Sequence, residues 1–284
     1  MKTGLVLEGG AMRGLFTAGV IDVMMENGIS FDGIIGVSAG AAFGCNYKSR
    51  QIGRALRYNT AYCNDPRYCG FRSLIKTGDI YGVQFCYHEI PDKLDPFDYD
   101  TFKNDETEFH VVCTDVMTGK AVYRRIGDAR GEGMELIRAS ASMPLVSRIV
   151  ETDGMKLLDG GIADSVPLRY FESIGYDRNI IVLTRPMDYE KKESKMLPLI
   201  KLRMKKYPAL CEAMAKRHRV YNETLEYIKK REESGEILVL RPESDLGIGH
   251  IEHDPKELKR VYKLGRALAE KRLGEIKSFS RTVC

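Results

Sequence analysis

The stretch from residue 31 to residue 40 constrains this chain most strongly, because an apolar strand pattern there runs directly into Gly36-Val37-Ser38-Ala39-Gly40. The Gly-x-Ser-x-Gly spacing is typical of a nucleophile elbow, a sharp strand-to-helix turn that accepts only very small residues two positions either side of the serine. It predicts Ser38 at the exposed tip of a strand. The same residues are compatible with a glycine-rich loop whose serine caps a helix.

A second glycine cluster follows the first apolar segment of the chain. It comprises Gly9, Gly10, Ala11, Met12, Arg13 and Gly14. Successive backbone N–H groups in such a turn, next to the start of a helix, form a site for negative charge, either a bound phosphate or a tetrahedral oxyanion. A dinucleotide site is disfavoured, because the third position of that fingerprint is Ala11 and the nearest suitable acidic residue, Asp32, begins the second strand.

A third informative segment places Asp159 at the end of an apolar strand, with Gly160 and Gly161 directly after it. An Asp-Gly pair between apolar runs is also a strong hairpin signal. Here the residues 152–154 already supply a hairpin turn between residues 147–151 and 155–158. Asp159 is therefore expected at the far end of the returning strand, where a carboxylate could serve as a base for a serine.

Taken together and in this order, the three motifs resemble the patatin-like phospholipase family, whose pattern is Gly-Gly-Gly-x-Arg-Gly, Gly-x-Ser-x-Gly and Asp-Gly-Gly or Asp-Gly-Ala. The resemblance runs from about residue 3 to about residue 185 and includes the segment 139–144. Residues 190–284 resemble a bacterial subgroup of the family more loosely. One departure is Ala11 in place of the third glycine, which is tolerable at negative φ and would disturb the loop if φ must be positive.

The resemblance implies an α/β fold of three layers, with a mostly parallel central sheet and helices on both faces. It also implies a serine acyl hydrolase with a Ser38–Asp159 dyad that works through an acyl-enzyme. The N–H groups of Gly10, Ala11 and Met12 would hold the oxyanion. Arg13 would keep the loop in shape or meet a phosphate or carboxylate, because a guanidinium is a rigid fork of donors. No metal or other cofactor is expected.

Two alternatives remain open at this point. An α/β-hydrolase triad follows the order Ser, Asp, His, and His250 lies downstream of Asp159, although such enzymes normally have several strands before the elbow. A non-catalytic lipid-binding or regulatory protein could also retain the fold. Among hydrolases, the motifs are equally compatible with a phospholipase, an esterase, a thioesterase or an acyltransferase.

Composition sets the expected organisation. With 284 residues, 43% of them apolar and 30% charged, the chain can bury a large core. We expect a catalytic core over residues 1–185 and, over residues 186–284, a helical extension with one strand that packs on the same domain. Seven cysteines without a Cys-x-x-Cys pair suit a reducing compartment, and the short apolar run at the start does not suit a signal peptide. The expected location is the cytoplasm, with peripheral association with the inner membrane face as a further hypothesis.

Two further segments carry functional hypotheses. Residues 185–231 contain 14 Lys and Arg against 6 Asp and Glu, a formal charge of +8, which suggests peripheral contact with an anionic membrane or a solvated helix face. Nucleic acid is not an expected partner, because no recognition motif is present. Residues 58–90 are rich in aromatic side chains that either form a lid over an acyl-binding groove or fill the core.

Strand patterns and turn signals together predict eight strands with helices between most of them. The expected strands cover residues 4–8, 31–37, 108–114, 120–124, 147–151, 155–159, 179–184 and 236–240.

Overall fold

The computed structural model describes residues 1–282, which form one large mixed sheet covered by helices. The strands are β1 (Lys2–Leu7), β2 (Ile29–Ser30), β3 (Gly33–Val37), β4 (Glu108–Asp115), β5 (Ala121–Ile126), β6 (Val150–Thr152), β7 (Met155–Asp159), β8 (Tyr176–Val182), β9 (Ile237–Leu240) and β10 (Arg281–Thr282). The α-helices are α1 (Gly14–Glu26), α2 (Ala39–Lys48), α3 (Arg54–Tyr62), α4 (Phe71–Thr77), α5 (Tyr99–Asn104), α6 (Glu132–Ser140), α7 (Leu168–Ser173), α8 (Leu197–Arg203), α9 (Pro208–Glu233), α10 (Pro255–Lys271) and α11 (Leu273–Phe279). A π-helical segment spans Phe85–Leu94.

The large sheet has the strand order β6-β7-β4-β3-β1-β8-β9, and β5 also pairs with β4. Five adjacent strands, β4, β3, β1, β8 and β9, run parallel to one another. Strands β5 and β7 run antiparallel to β4, and β6 runs antiparallel to β7. Strands β2 and β10 form a separate antiparallel pair.

Helices cover both faces of this sheet, as the alternation of side chains along β1 shows. Leu5 and Leu7 lie in one hydrophobic cluster with side chains of α1, α2 and α10, whereas Val6 lies in another with side chains of α7 and α9. Successive residues of a strand point to opposite faces, so β1 is buried on both sides. The predicted fold class is confirmed: the protein has a three-layer α/β architecture with a mostly parallel sheet.

All eight predicted strands are present in the large sheet within a few residues of their expected positions. Strands β6 and β7 form the hairpin expected around residues 152–154, and β4 and β5 form another hairpin. Gly154 and Gly119 have positive φ in the respective turns. The pair of two-residue strands β2 and β10 was not predicted, because two residues carry no measurable periodicity.

The C-terminal residues contribute to the same sheet and the same helical layers. Strand β9 pairs with β8, and α10 packs on α1 at close range, where a Cβ on Gly19 or Gly265 would lie about 2 Å from a backbone oxygen of the other helix. The division at residues 185 and 186 stays a prediction. None of the described helices combines the length and the apolar character that a bilayer-spanning segment requires.

Candidate active site

Ser38 lies at a strained turn between β3 and α2, as the sequence predicts. Its φ of 54° and ψ of −121° fall outside the usual regions for a residue other than glycine. A Cβ on Gly36 would lie 2.6 Å from the amide nitrogen of Ala41, and one on Gly40 would lie 2.4 Å from the carbonyl oxygen of Leu7. Both flanking glycines are therefore required sterically.

Ser140 anchors this turn from below. The backbone N–H of Ser38 donates to Ser140 Oγ at 2.9 Å, and Ser140 Oγ–H donates to the carbonyl oxygen of Val112 at 2.6 Å. Ser140 is fully buried at the end of α6, so the elbow is tied to β4 through a side chain without solvent contact.

Sheet register brings Asp159 to the level of Ser38. Strand β3 pairs with β4 so that Val37 lies opposite Val112, and β7 pairs with β4 on its other side so that Asp159 lies opposite Cys113. Ser38, which follows Val37, and Asp159, the last residue of β7, therefore lie at the same height on the two sides of β4. The Ser38 hydroxyl is close enough to the Asp159 carboxyl to oppose the increase in its pKa.

The Asp159 carboxyl is held by fixed donors in a buried position. Asp159 is 2% exposed, and its Oδ1 accepts a 2.7 Å hydrogen bond from the N–H of Gly161. Burial raises the pKa of Asp159, whereas the positive charge of Arg217, the Ser38 hydroxyl and the Gly161 N–H oppose that increase. These donors favour the ionised carboxylate, the form that can accept a proton.

The loop Gly9–Gly14 packs directly against the elbow. A Cβ on Gly9 would lie 2.9 Å from Ser38 Cβ, and one on Gly14 would lie 2.9 Å from Ala39 Cβ. Ala11 and Met12 begin a single 3₁₀ turn, and the first N–H groups of a helix have no acceptor inside it. Their free N–H groups therefore lie on the loop that contacts the nucleophile candidate.

The departure at Ala11 falls where the backbone favours glycine. Its φ is 48°, in the left-handed region, which is the case in which the sequence analysis expects Ala11 to disturb the loop. The conformation costs about 1–2 kcal/mol for a residue with a Cβ. The loop nevertheless keeps its position against the elbow, which requires anchoring from outside the loop.

Glu8 supplies that anchoring through a buried hydrogen-bond network. Its Oε2 accepts from the Thr184 N–H at 2.6 Å, and its Oε1 accepts from the Tyr221 hydroxyl at 2.6 Å. Thr184 Oγ1 also donates to the Gly9 carbonyl oxygen at 3.2 Å. Glu8 is 3% exposed, so these partners compensate the cost of burying a carboxylate and fix the start of the loop.

Arg13 is buried under the loop. It is 8% exposed, and its Nε has no hydrogen-bond partner within residues 1–282. Burial, followed by the neighbouring charge of Arg185, lowers the pKa of Arg13, whereas the Glu8 carboxylate raises it. The interpretation of Arg13 as a surface side chain without a role is therefore disfavoured.

Helix α9 reaches the site from the C-terminal part of the chain. Arg217 Nε donates to the carbonyl oxygen of Gly161 at 2.5 Å, next to the turn that holds the Asp159 carboxyl. Lys191 lies 4.1 Å from the ring centre of Tyr221, and burial together with the charge of Arg217 lowers the pKa of Lys191 to about 7. No sequence motif pointed to these side chains.

His250 lies at the rim of the site without contacting the carboxyl. Burial and the charges of Arg13 and Arg217 lower its pKa. The groups that act on Asp159 are Arg217, Ser38, Gly161 and Lys191. This arrangement does not resemble a triad, in which an imidazole would lie between serine and carboxyl.

An apolar cavity of about 470 Å³ begins at Ser38 and the loop. The aromatic segment from residue 58 to residue 90 forms one of its walls, contributing Tyr58, Tyr68, Tyr81 and Tyr87. Tyr58, Tyr68 and Tyr81 also pack into the hydrophobic core, so the segment both fills the interior and shapes the cavity. A cavity of this size and polarity suits an apolar ligand.

Comparison with known proteins identifies the family. The profile described as "Patatin-like phospholipase" matches residues 5–172, more than half of the chain. The chain belongs to the patatin-like phospholipase family. Residues 207–281 match a second profile, described as a domain of unknown function, DUF6363.

Several curated relatives share the patatin-like region. The chain is 27% identical to the uncharacterized protein YjjU of Escherichia coli, over 65% of this chain and 52% of that protein. It is 27% identical to the uncharacterized NTE family protein Rv1063c of Mycobacterium tuberculosis, over 64% of this chain and 48% of that protein. It is also 27% identical to lysophospholipase nte1 of Aspergillus niger, over 62% of this chain and 11% of that protein. The chain thus spans about half the length of the first two. Among solved structures, VipD from Legionella pneumophila matches with a TM-score of 0.48 and 14% identity, over 99% of this chain and 68% of that one.

The patatin-like motifs converge at one end of the sheet. Ser38 lies beside the Asp159 carboxyl, and the glycine loop lies against Ser38. Gly160 is closely packed, because a Cβ there would lie 2.1 Å from the carbonyl oxygen of Val112. Sequence reasoning did not find the anchoring group around Glu8 or the contribution of Arg217. The only available signal was an acidic residue directly after a buried strand, which requires buried partners.

Proposed function

We propose that this protein is a lipid acyl hydrolase of the phospholipase A or lysophospholipase type that uses Ser38 as nucleophile and Asp159 as base. The observation that carries the proposal is that Ser38 lines an apolar cavity and lies beside the buried Asp159 carboxyl, whose pKa its hydroxyl lowers. Family membership and the lysophospholipase name of one relative support the reaction class.

The proposed reaction has two halves. Ser38 Oγ attacks the ester carbonyl carbon while its proton passes to Asp159, and the N–H groups of Gly10, Ala11 and Met12 stabilise the oxyanion. When the ester bond breaks, the departing alcohol takes the proton from Asp159. Water then attacks the acyl-enzyme and gives a proton to Asp159. As the bond between the acyl group and Ser38 breaks, Ser38 Oγ takes this proton from Asp159 and the fatty acid is released.

Arg217 acts as a positioning residue in this scheme. By binding the Gly161 carbonyl oxygen it orients the turn whose N–H holds Asp159 Oδ1. Its charge also favours the ionised form of the base. The cavity receives the acyl chain, and the proposed location is cytoplasmic, at a membrane surface.

The test is covalent labelling of the purified protein with a fluorophosphonate, with the adduct mapped by peptide mass. We expect the adduct on Ser38, and we expect Asp159→Asn to slow its formation at least about a hundredfold, as loss of a general base does. The matched control is Asp164→Asn, which changes a buried carboxyl that binds Tyr123 at 2.9 Å instead of Ser38. His250→Ala should leave the labelling rate within a factor of two or three.

Labelling of another residue, or equal rates in wild type and Asp159→Asn, would refute the dyad. A large loss in His250→Ala would favour the triad instead. Hydrolysis of lysophospholipid by wild type but not by Ser38→Ala then assigns the reaction.

A further inference from the structure

Helix α8 and the residues around it expose large apolar side chains to solvent. Leu197, Ile200 and Met204 are buried, as expected for the inner stripe of a surface helix. The opposite side carries Leu199, which is 47% exposed, and Leu202, which is 69% exposed. Large apolar side chains on the solvent side of a helix mark a contact with a membrane or another molecule.

Helix α4 shows the same feature. Phe71 is 75% exposed and Ile75 is 85% exposed. They are four residues apart, so they lie on the same face, one turn above each other. Arg72 and Lys76 follow them directly.

Both segments carry positive charge without acidic residues. Residues 71–77 contain two cationic and no acidic residues, and residues 195–206 contain five cationic and no acidic residues. Within the part of the chain that the structure describes, none of these seven side chains forms a salt bridge. They are Arg72, Lys76, Lys195, Lys201, Arg203, Lys205 and Lys206. Elsewhere in the 185–231 region charges are neutralised, for example by the Lys216–Glu212 and Arg231–Glu172 pairs.

The two segments lie on either side of the cavity wall. The Ile80 N–H, just after α4, donates to the Val146 carbonyl oxygen at 2.8 Å, and Leu145 packs in the same cluster as Ile200 of α8. Met196 is 49% exposed and also lines the cavity, so the cavity opens beside α8. Exposed apolar side chains and unpaired cations therefore surround the entrance to the acyl-binding cavity.

We infer that residues 71–77 and 195–206 form a docking surface for an anionic lipid bilayer, with the cavity entrance facing the membrane. Large apolar side chains interspersed with Lys and Arg are characteristic of segments that insert into the headgroup region of anionic membranes. A nucleic-acid partner would leave the exposed apolar residues unexplained, whereas an anionic bilayer accounts for both the apolar residues and the cations in each of the two segments. The inference rests on the proposed function, because a lipid acyl hydrolase would take its lipid substrate from the membrane into the cavity.

Vesicle binding tests this inference without turnover. The Ser38→Ala protein is mixed with vesicles of phosphatidylcholine alone or with about one third phosphatidylglycerol, and the bound fraction is measured by flotation. We expect binding to the anionic vesicles that weakens as salt is raised. Lys201→Glu with Arg203→Glu should lower the partition coefficient at least about twentyfold, since each basic side chain near the surface contributes about fivefold.

The apolar contribution is tested with Leu199→Ser and Leu202→Ser together, which should lower the partition coefficient at least about tenfold. These side chains are exposed, so the fold should be retained, and thermal unfolding verifies this. The matched control is Lys263→Glu with Leu264→Ser, an exposed cation and an exposed leucine on α10, which should bind like the parent protein.

Equal binding by the parent and both α8 double variants would overturn the inference, as would equal binding to neutral and anionic vesicles. Self-association that is lost in the leucine variant, without vesicle binding, would instead assign the surface to a second copy of the chain. Failure of the hydrolase proposal is distinguishable, because it would remove fluorophosphonate labelling and leave vesicle binding intact.

Discussion

Replacing Gly40 with alanine tests the steric basis of the elbow. A Cβ there would lie 2.4 Å from the Leu7 carbonyl oxygen, and real Cβ contacts are essentially never closer than 3.0 Å. The start of α2 and the end of β1 must therefore separate by at least 0.6 Å, and by 1.0 Å to reach the ordinary contact distance of 3.4 Å. Because Ser38 precedes α2 and the glycine loop follows β1, this movement separates the nucleophile from the N–H groups of the loop.

The expected loss in kcat/KM is about a hundredfold, which is the effect of a misplacement of about 1 Å in an active site. Overpacking should also destabilise the fold by about 1–3 kcal/mol, partly offset by the better helix propensity of alanine. The assay is hydrolysis of a soluble p-nitrophenyl ester together with the rate of fluorophosphonate labelling. Thermal unfolding of each variant is measured in parallel.

Gly44→Ala is the matched control, one turn further along the same helix. Its Cβ would lie 2.5 Å from Leu7 Cδ1, the flexible end of a side chain, so Leu7 can move without shifting the backbone. Activity within about threefold of wild type is expected. The reasoning is refuted if folded Gly40→Ala keeps wild-type activity, or if Gly44→Ala loses as much activity as Gly40→Ala.

Three further predictions concern groups around the site. Arg217→Met should move the acid limb of the pH–rate profile to higher pH, because the pKa of Asp159 rises when the charge of Arg217 is lost. Activity on the acid side should fall by up to about tenfold for each unit by which this pKa rises. Arg217→Lys should retain most of the wild-type pH–rate profile, and Lys216→Met, which changes a solvent-exposed side chain, should retain all of it. A uniform loss of activity at every pH in Arg217→Met would contradict the effect of Arg217 on the pKa of Asp159. Asp159→Asn should raise the unfolding temperature at neutral pH. Burial raises the pKa of Asp159, so the ionised carboxylate lowers the stability of the fold as pH rises from the unfolded-state pKa through the folded-state pKa. The gain should vanish in acid, where the carboxyl is protonated. Ala11→Gly should stabilise the protein by up to about 1 kcal/mol, the left-handed strain being partly offset by unfolded-state entropy, and a lower unfolding temperature would contradict this.

Local signals explain how much of the fold could be predicted from sequence. The hairpins at Gly119 and Gly154 depend on turn residues, and β8 runs into the apolar residues 180–183, so each element is specified within about ten residues. The π-helical segment Phe85–Leu94 was not predicted, because it contains Pro91 and has no α-helical period. The pairing of β2 with β10 joins distant parts of the chain and has no local signature.

Some residues of the candidate site could likewise be recognised from the sequence, and others could not. Ser38 and the glycine loop are recognisable because close backbone packing restricts their neighbours to small residues, which leaves a sequence pattern. Ser140 and Thr184 were not recognised as functional, because a hydroxyl that binds a distant backbone group requires no particular neighbours in sequence. Their roles depend on which strands become adjacent, and only the folded sheet determines that.

Helix α9 makes the site depend on residues outside the patatin-like motifs. Tyr221 gives Glu8 Oε1 its hydrogen bond, and Arg217 gives the Gly161 carbonyl oxygen its donor. Without α9, Glu8 would lose one of the partners of its buried carboxylate, and an unsatisfied group of this kind costs about 1–3 kcal/mol or more. The segment that matches the domain of unknown function therefore supplies side chains that hydrogen-bond both Glu8, at the start of the glycine loop, and the turn that holds Asp159, so these motifs of the candidate site are stabilised from outside the patatin-like region.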